Sequence, residues 1–123
     1  MGKVIVIDDS RLMRLFLRRC LEKGGFEVEE WVPLSAMEIP EHITSSAPEL
    51  IITDYEMPGC NGLTVTRMLH KSNPQLPVIV LTSFYNEEME TKLLRLGVRR
   101  ILTKPIEPGA LIQAVQEVLQ NPA

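Results

Sequence analysis

The 123-residue chain is predicted to be an α/β domain: a five-stranded parallel sheet, doubly wound with helices on both faces. Three observations carry that prediction. Short continuous runs of branched apolar residues, Val4 to Ile7, Leu50 to Ile52 and Val78 to Leu81, have the composition of strands covered on both faces. Stretches with apolar residues at helical spacing separate them, and strand-helix alternation with right-handed crossovers builds a parallel sheet. A composition of 45% hydrophobic and 24% charged residues fits one compact domain, taken as residues 1–123, and no linker, repeat or low-complexity tract divides it.

Val4 to Ile7 is the first strand. Met13, Phe16, Leu17, Cys20 and Leu21 then recur at helical spacing until Gly24-Gly25, which stops the helix as a C-terminal glycine does. Val28 to Val32 has strand length and carries Glu29 and Glu30, so it is expected to flank the sheet with one wetter side. A second helix falls in Ser35 to Ser46, where Pro40 should shorten or bend it, because an interior proline removes a hydrogen bond and crowds the preceding turn. Leu50 to Ile52 is the third strand, and Leu63, Met68 and Leu69 mark the third helix. After the fourth strand, Val78 to Leu81, come Met89, Leu93, Leu94 and Leu96 in a helix ended by Gly97. Val98 to Leu102 flanks the sheet with Arg99 and Arg100, and Leu111, Ile112, Val115, Val118 and Leu119 make the fifth helix.

Charge and terminal composition narrow the function classes. A formal charge of -3 and a pI near 5.4 provide no basic patch, so direct nucleic-acid binding by this domain is not expected. No run approaches the ~20 apolar residues of a membrane span, and the start of the chain lacks the cationic region, apolar run and cleavage site of a secretory signal; a cytoplasmic location is expected. Cys20 and Cys60 fit neither a disulfide framework nor a metal site and are expected as reduced thiols, Cys20 in the core and Cys60 in a loop.

The strands end in polar groups. The first is followed by Asp8 and Asp9, the third by Asp54, the fourth by Thr82, and the fifth by Lys104 with Pro105. In a parallel sheet these ends share one edge, which is where open α/β sheets bind ligands. Taken singly, each has an ordinary explanation: an aspartate as turn former, Ser10 or Thr82 as a helix cap, Lys104 as a solvated lysine. Their coincidence favours a site. Clustered carboxylates repel unless a cation is present, and a few oxygen ligands suit Mg²⁺, which keeps waters and shares phosphate oxygens. With Lys104 as a second positive charge and Thr82 as a donor, the edge is suited to an anionic phosphoryl group.

The segments IVIDDS, ITDYEMPGCNG, VIVLTS and ILTKPI, in this order and spacing, resemble the receiver domain of two-component response regulators, including the chemotaxis response regulators. The resemblance spans Val4 to about Leu119 and rests on Asp54-Tyr55-Glu56-Met57-Pro58 through Gly62 together with the aspartate pair and Lys104-Pro105. It implies a flavodoxin-like strand order 2-1-3-4-5 and a cis peptide at Lys104-Pro105. It also implies Mg²⁺-dependent phosphorylation of Asp54 by a sensor histidine kinase or histidine phosphotransfer protein. On that basis Asp9 ligates Mg²⁺ directly, Asp8 acts largely through water, Asp54 and the Glu56 backbone carbonyl supply further ligands, and Thr82 and Lys104 bind phosphoryl oxygens. The chain would be a phosphoacceptor that assists its own phosphorylation and dephosphorylation rather than an enzyme, acting on a downstream effector or fused output domain. A homodimer through the face of helix 4, strand 5 and helix 5 is a further implication.

The chain departs from the family pattern at Ile101, three residues before Lys104, where an aromatic that reorients on phosphorylation is common; the resemblance therefore does not extend to an aromatic switch. Arg99 and Arg100 place two positive charges near the helix 4 to helix 5 face, as a solvated edge or a partner site. Glu56 and Phe84, two residues after Asp54 and Thr82, are expected to slow hydrolysis of the phosphoryl group if they face it. His42 and His70 are read as surface side chains, Trp31 as a packing residue near the end of the second strand, Met57 and Pro58 as shaping a loop, and Gly62 as serving backbone geometry. The competing readings are a pseudo-receiver acting as a phosphorylation-independent interaction domain, an aspartyl-nucleophile hydrolase, and a flavin protein. The hydrolase pattern needs a second aspartate where Glu56 stands, and no hydroxyl-rich phosphate loop follows the first strand.

Overall fold

The computed structural model describes residues 2–58 and 60–121. The strands are β1 (Lys3–Ile7), β2 (Glu27–Trp31), β3 (Leu50–Asp54), β4 (Val78–Thr82) and β5 (Arg100–Thr103), and the helices are α1 (Arg11–Lys23), α2 (Ile39–Ser46), α3 (Gly62–Ser72), α4 (Glu87–Arg95) and α5 (Pro108–Gln120). All neighbouring strands pair in parallel, in the order β2-β1-β3-β4-β5. The central strands are buried along nearly their whole length, whereas β2 and β5 are mostly half-buried or exposed, as expected from their charged residues.

Alternation along the strands splits the core in two. Val4, Val6, Leu50, Ile52, Ile79 and Leu81 meet α1 and α5 through Leu17, Leu21, Leu111, Val115 and Val118. On the other face, Ile5, Ile7, Ile51, Val78 and Val80 meet Ile39 and Ile43 of α2, Val65 and Leu69 of α3, and Met89 and Leu93 of α4. Each such side chain, fully withdrawn from water, contributes roughly 1.5–3 kcal/mol, so the sheet is a rigid platform for whatever stands at its edge.

Four elements differ in detail from the sequence reading. The second helical segment is a 3-10 turn (Ala36–Glu38) followed by α2, with Pro40 in the first turn of α2, where its missing N–H costs no hydrogen bond; it starts the helix instead of bending it. The capping box between Ser35 and Glu38 anchors the 3-10 turn. The fifth strand begins at Arg100 rather than Val98, because Gly97, with φ +86, turns the chain out of α4 and Val98 is still in that turn, its side chain buried. Leu94 is exposed, since the buried stripe of α4 runs through Met89 and Leu93. Cys20 is only half-buried, packed against the margin of the core between the sheet, α1 and α5, while Cys60 is the buried thiol; both are free. Gly25, φ 92, ends α1 as expected of a glycine there.

His42 is not a plain surface side chain. Its ring stacks on Trp31 with centroids 3.9 Å apart and planes 9° from parallel, and its Nε2 lies 2.5 Å from Glu29 Oε2. Ser46 donates to the other Glu29 oxygen and Lys3 donates to Ser46, so the end of α2 is tied to β1 and β2. His70 is exposed, as read. Arg100 pairs with Glu117 of α5 at 3.0 Å, and Arg99, just before β5, donates to the carbonyl of Asn121, just after α5, at 3.1 Å.

Candidate functional site

The sheet register sets the site. Ile7 pairs with Thr53, Asp54 with Leu81, and Thr82 with Thr103. Asp8 therefore leaves β1 level with Asp54, and Lys104 follows β5 one residue beyond the level of Thr82, its N–H donating to the Thr82 carbonyl at 2.8 Å. All five polar residues picked out at the strand ends come together at this carboxyl edge. Lys104 Nζ donates to Asp54 Oδ1 at 3.0 Å and lies 3.5 Å from Asp8 Oδ2. Asp8, Asp9 and Asp54 each bring one carboxylate oxygen within 4.8 Å of the others.

Local structure prepares each group. Ser10 caps α1 by accepting from Met13 N–H at 3.2 Å, so its ordinary role as a cap holds, and its own N–H donates to Asp8 Oδ1 at 2.8 Å. Thr82 is not a cap, because Asn86 fills that position on α4. Gly62 serves a close approach: a Cβ there would lie 2.7 Å from the Tyr55 Cα and 2.8 Å from the Asp54 carbonyl oxygen. The start of α3 is thereby pressed onto the end of β3, and the Gly62 N–H donates to the Tyr55 carbonyl at 2.9 Å. Met57 is buried in the core face of α3, consistent with a loop-shaping role.

The electrostatics leave a deficit of positive charge. Asp8 is fully buried, and its Oδ2 accepts no hydrogen bond. Burial raises the Asp8 carboxyl above its ordinary range despite the Ser10 N–H and Lys104, and Asp9 beside it pushes the same way. Burial likewise raises Asp54 against the pull of Lys104, with Asp8 and Glu56 adding repulsion. Burial alone would lower the Lys104 ammonium, but Asp54 and Asp8 outweigh it and hold it charged. One ammonium thus faces three carboxylates, and Asp8 Oδ2, buried and without a hydrogen bond, has only that ammonium, at 3.5 Å, to offset its charge. The donor set, all carboxylate oxygen, fits a hard divalent cation such as Mg²⁺.

The Response regulator receiver domain model matches residues 4–116. This chain is a receiver domain of the response-regulator family. It is 27% identical over 119 residues to the chemotaxis protein CheY of Thermotoga maritima, covering 96% of this chain and 98% of that protein. It is 31% identical over 119 residues to the response regulator MprA of Mycobacterium ulcerans, covering 97% of this chain and 50% of that one. Two transcriptional regulatory proteins that match it are longer still, the receiver domain spanning 28% and 25% of their lengths. Among solved structures, Vibrio cholerae CheY4 superposes with a TM-score of 0.85 at 26% identity, over 96% of this chain and 98% of that one. No helix of the described residues is long and apolar enough to cross a membrane.

In this receiver domain the Lys104-Pro105 peptide is cis. The Glu56 side chain turns toward the site: it accepts from the Thr82 hydroxyl and, at 2.9 Å, from the Ser83 N–H. Phe84 is 75% exposed, and its backbone N–H donates to Thr82 Oγ1 at 3.0 Å. Nothing in the sequence pattern singles out Arg14, yet its Nη1 donates to the Asp8 carbonyl at 2.7 Å. The signal is faint: an arginine six residues after an aspartate on an amphipathic helix has many commoner uses.

Proposed function

We propose that this domain, residues 1–123, accepts a phosphoryl group on Asp54 in a Mg²⁺-dependent reaction with a phosphorylated histidine kinase or phosphotransfer protein, and passes the change to an effector. The observation that carries the proposal is the convergence of Lys104 Nζ, 3.0 Å from Asp54 Oδ1, with three carboxylates within 4.8 Å of one another. An Asp54 carboxylate oxygen attacks phosphorus, the bond to the donor nitrogen breaks, and the electron pair leaves with the histidine; the product is an acyl phosphate. Asp8, Asp9, Asp54 and the Glu56 carbonyl would hold the cation, which when bound offsets charge on the transferring group. Lys104 would bind one phosphoryl oxygen and the Thr82 hydroxyl another, drawing Thr82 and the Phe84 N–H that rests on it toward Asp54. That movement couples the site to the loop before α4, where Phe84 and Tyr85 are exposed to a partner. Action through a fused output domain is supported by the greater length of several relatives. Action with such kinases and effectors would be cytoplasmic.

The test is exposure to a small acyl-phosphate donor with MgCl₂, followed by intact-mass measurement. One added phosphoryl group, absent in Asp54→Asn and without Mg²⁺, is expected. An unmodified chain beside a reactive control receiver domain would favour a phosphorylation-independent binding module.

A further inference from the structure

We propose that Arg14 is a positioning residue for the cation site, acting through the Asp8 main chain; this rests on the phosphoacceptor reading above. Arg14 lies near the N-terminal end of α1, beside an acidic cluster, where a cation is disfavoured by the helix dipole and a carboxylate partner is close at hand. It takes no carboxylate of the site. Nη1 donates to the Asp8 carbonyl at 2.7 Å, and Nε is held by Glu30 Oε1 of β2 at 3.3 Å. Glu30 is fixed in turn by Arg18 Nη1 at 2.9 Å. The carbonyl that follows β1 is therefore tied to the neighbouring strand through a half-buried guanidinium, 18% exposed.

The consequence falls on Asp9. Asp8 is anchored by its side chain through the Ser10 N–H and by its carbonyl through Arg14. With both held, the peptide plane joining Asp8 to Asp9 has one orientation, and it aims the exposed Asp9 carboxylate at Asp8 and Asp54. Without Arg14 that plane is free to rotate, and the carboxylates, which repel one another, spread apart. Groups that orient metal ligands without touching the metal typically govern 10–100-fold in affinity.

Charge and positioning predict opposite signs, which makes the inference testable. As a mere positive charge near the site, Arg14 would weaken cation binding, so Arg14→Met would bind MgCl₂ more tightly and Arg14→Lys would equal the unaltered chain. As a positioning residue, its loss in either variant raises the Mg²⁺ Kd about tenfold, because a lysine carries its donors on a single nitrogen and lacks the planar fork that holds the carbonyl and Glu30 at fixed separate directions. Titration with MgCl₂ alone, read from the Asp9 and Asp54 amide shifts, separates these outcomes, with β4 and β5 amides matching those of the unaltered chain before MgCl₂ is added as the folding control. In Arg14→Lys, phosphorylation by the small donor should recover at high Mg²⁺; a rate deficit independent of Mg²⁺ would overturn the positioning role. Mg²⁺ affinity in Arg14→Lys equal to that of the unaltered chain would overturn it too. Absence of Mg²⁺ binding by the unaltered chain would instead overturn the function proposed above and this inference with it.

Discussion

Replacing Glu56 with alanine removes a carboxylate that already occupies the donors which, under the function proposed above, a phosphoryl group would use. Its two oxygens accept from the Thr82 hydroxyl and the Ser83 N–H, and Thr82 is fully buried, so no water substitutes freely there. For an incoming phosphoryl group to gain Thr82, Glu56 must release it. A hydrogen bond to a charged group is worth about 1.5–3 kcal/mol net. Glu56 is half-buried and is rehydrated once it swings out, so the low end, about 1.5 kcal/mol, is the appropriate figure for the pair. That corresponds to roughly tenfold. Glu56→Ala should therefore take up phosphate from a small donor about tenfold faster, measured by intact mass over time at saturating Mg²⁺. Thr82→Ala should cost more in the Glu56→Ala background than in the unaltered chain, because only there is the hydroxyl free to act. Equal rates for Glu56→Ala and the unaltered chain, with an unchanged cost for Thr82→Ala, would refute the reasoning.

With Phe84 mostly exposed, the proposed phosphorylated state would have its lifetime set by Glu56 and not by Phe84: Glu56→Asn should shorten it after donor removal, while Phe84→Glu alone leaves it unchanged. Asp8→Asn should stabilise the metal-free fold by about 1–3 kcal/mol, seen as a Tm several degrees higher, and abolish Mg²⁺ binding. The sign follows from burial: a carboxyl raised in the native state is penalised once ionised, and the penalty is complete above its native pKa and absent below its unfolded one. Glu29 has the opposite sign. Burial would raise it, but Ser46, His42 and Lys3 hold it below its ordinary range, so its contribution is complete above that range and lost as pH falls through the native value. Glu29→Gln should flatten the acid side of a stability-against-pH curve. Gly62→Ala should destabilise by about 1–3 kcal/mol in urea titrations, since its Cβ would press on backbone that cannot yield.

The central strands were readable because burial on both faces demands continuous branched apolar runs, and the site residues because each stands where such a run ends. Pro40 misled by its position inside a helical stretch: whether a proline breaks or begins a helix depends on where the first turn falls, which Ser35 and Glu38 decide by capping a separate 3-10 turn. His42 read as a surface residue because its partners, Trp31 and Glu29, lie on another element.

What the sequence determined by itself was local: hydrophobic period, caps, turn glycines, and the chemical type of each group at a strand end. Its motif order also carried the family. What only the tertiary structure decided was non-local. The direction of the Glu56 carboxylate, the Asp8 oxygen left without a hydrogen bond and the link from Arg14 to the Asp8 carbonyl all depend on strand register and on side-chain rotamers between elements distant in sequence. A one-dimensional pattern records which residues are buried together. It does not record which oxygen meets which donor, because that is set by packing distances of a few tenths of an ångström after the sheet has formed.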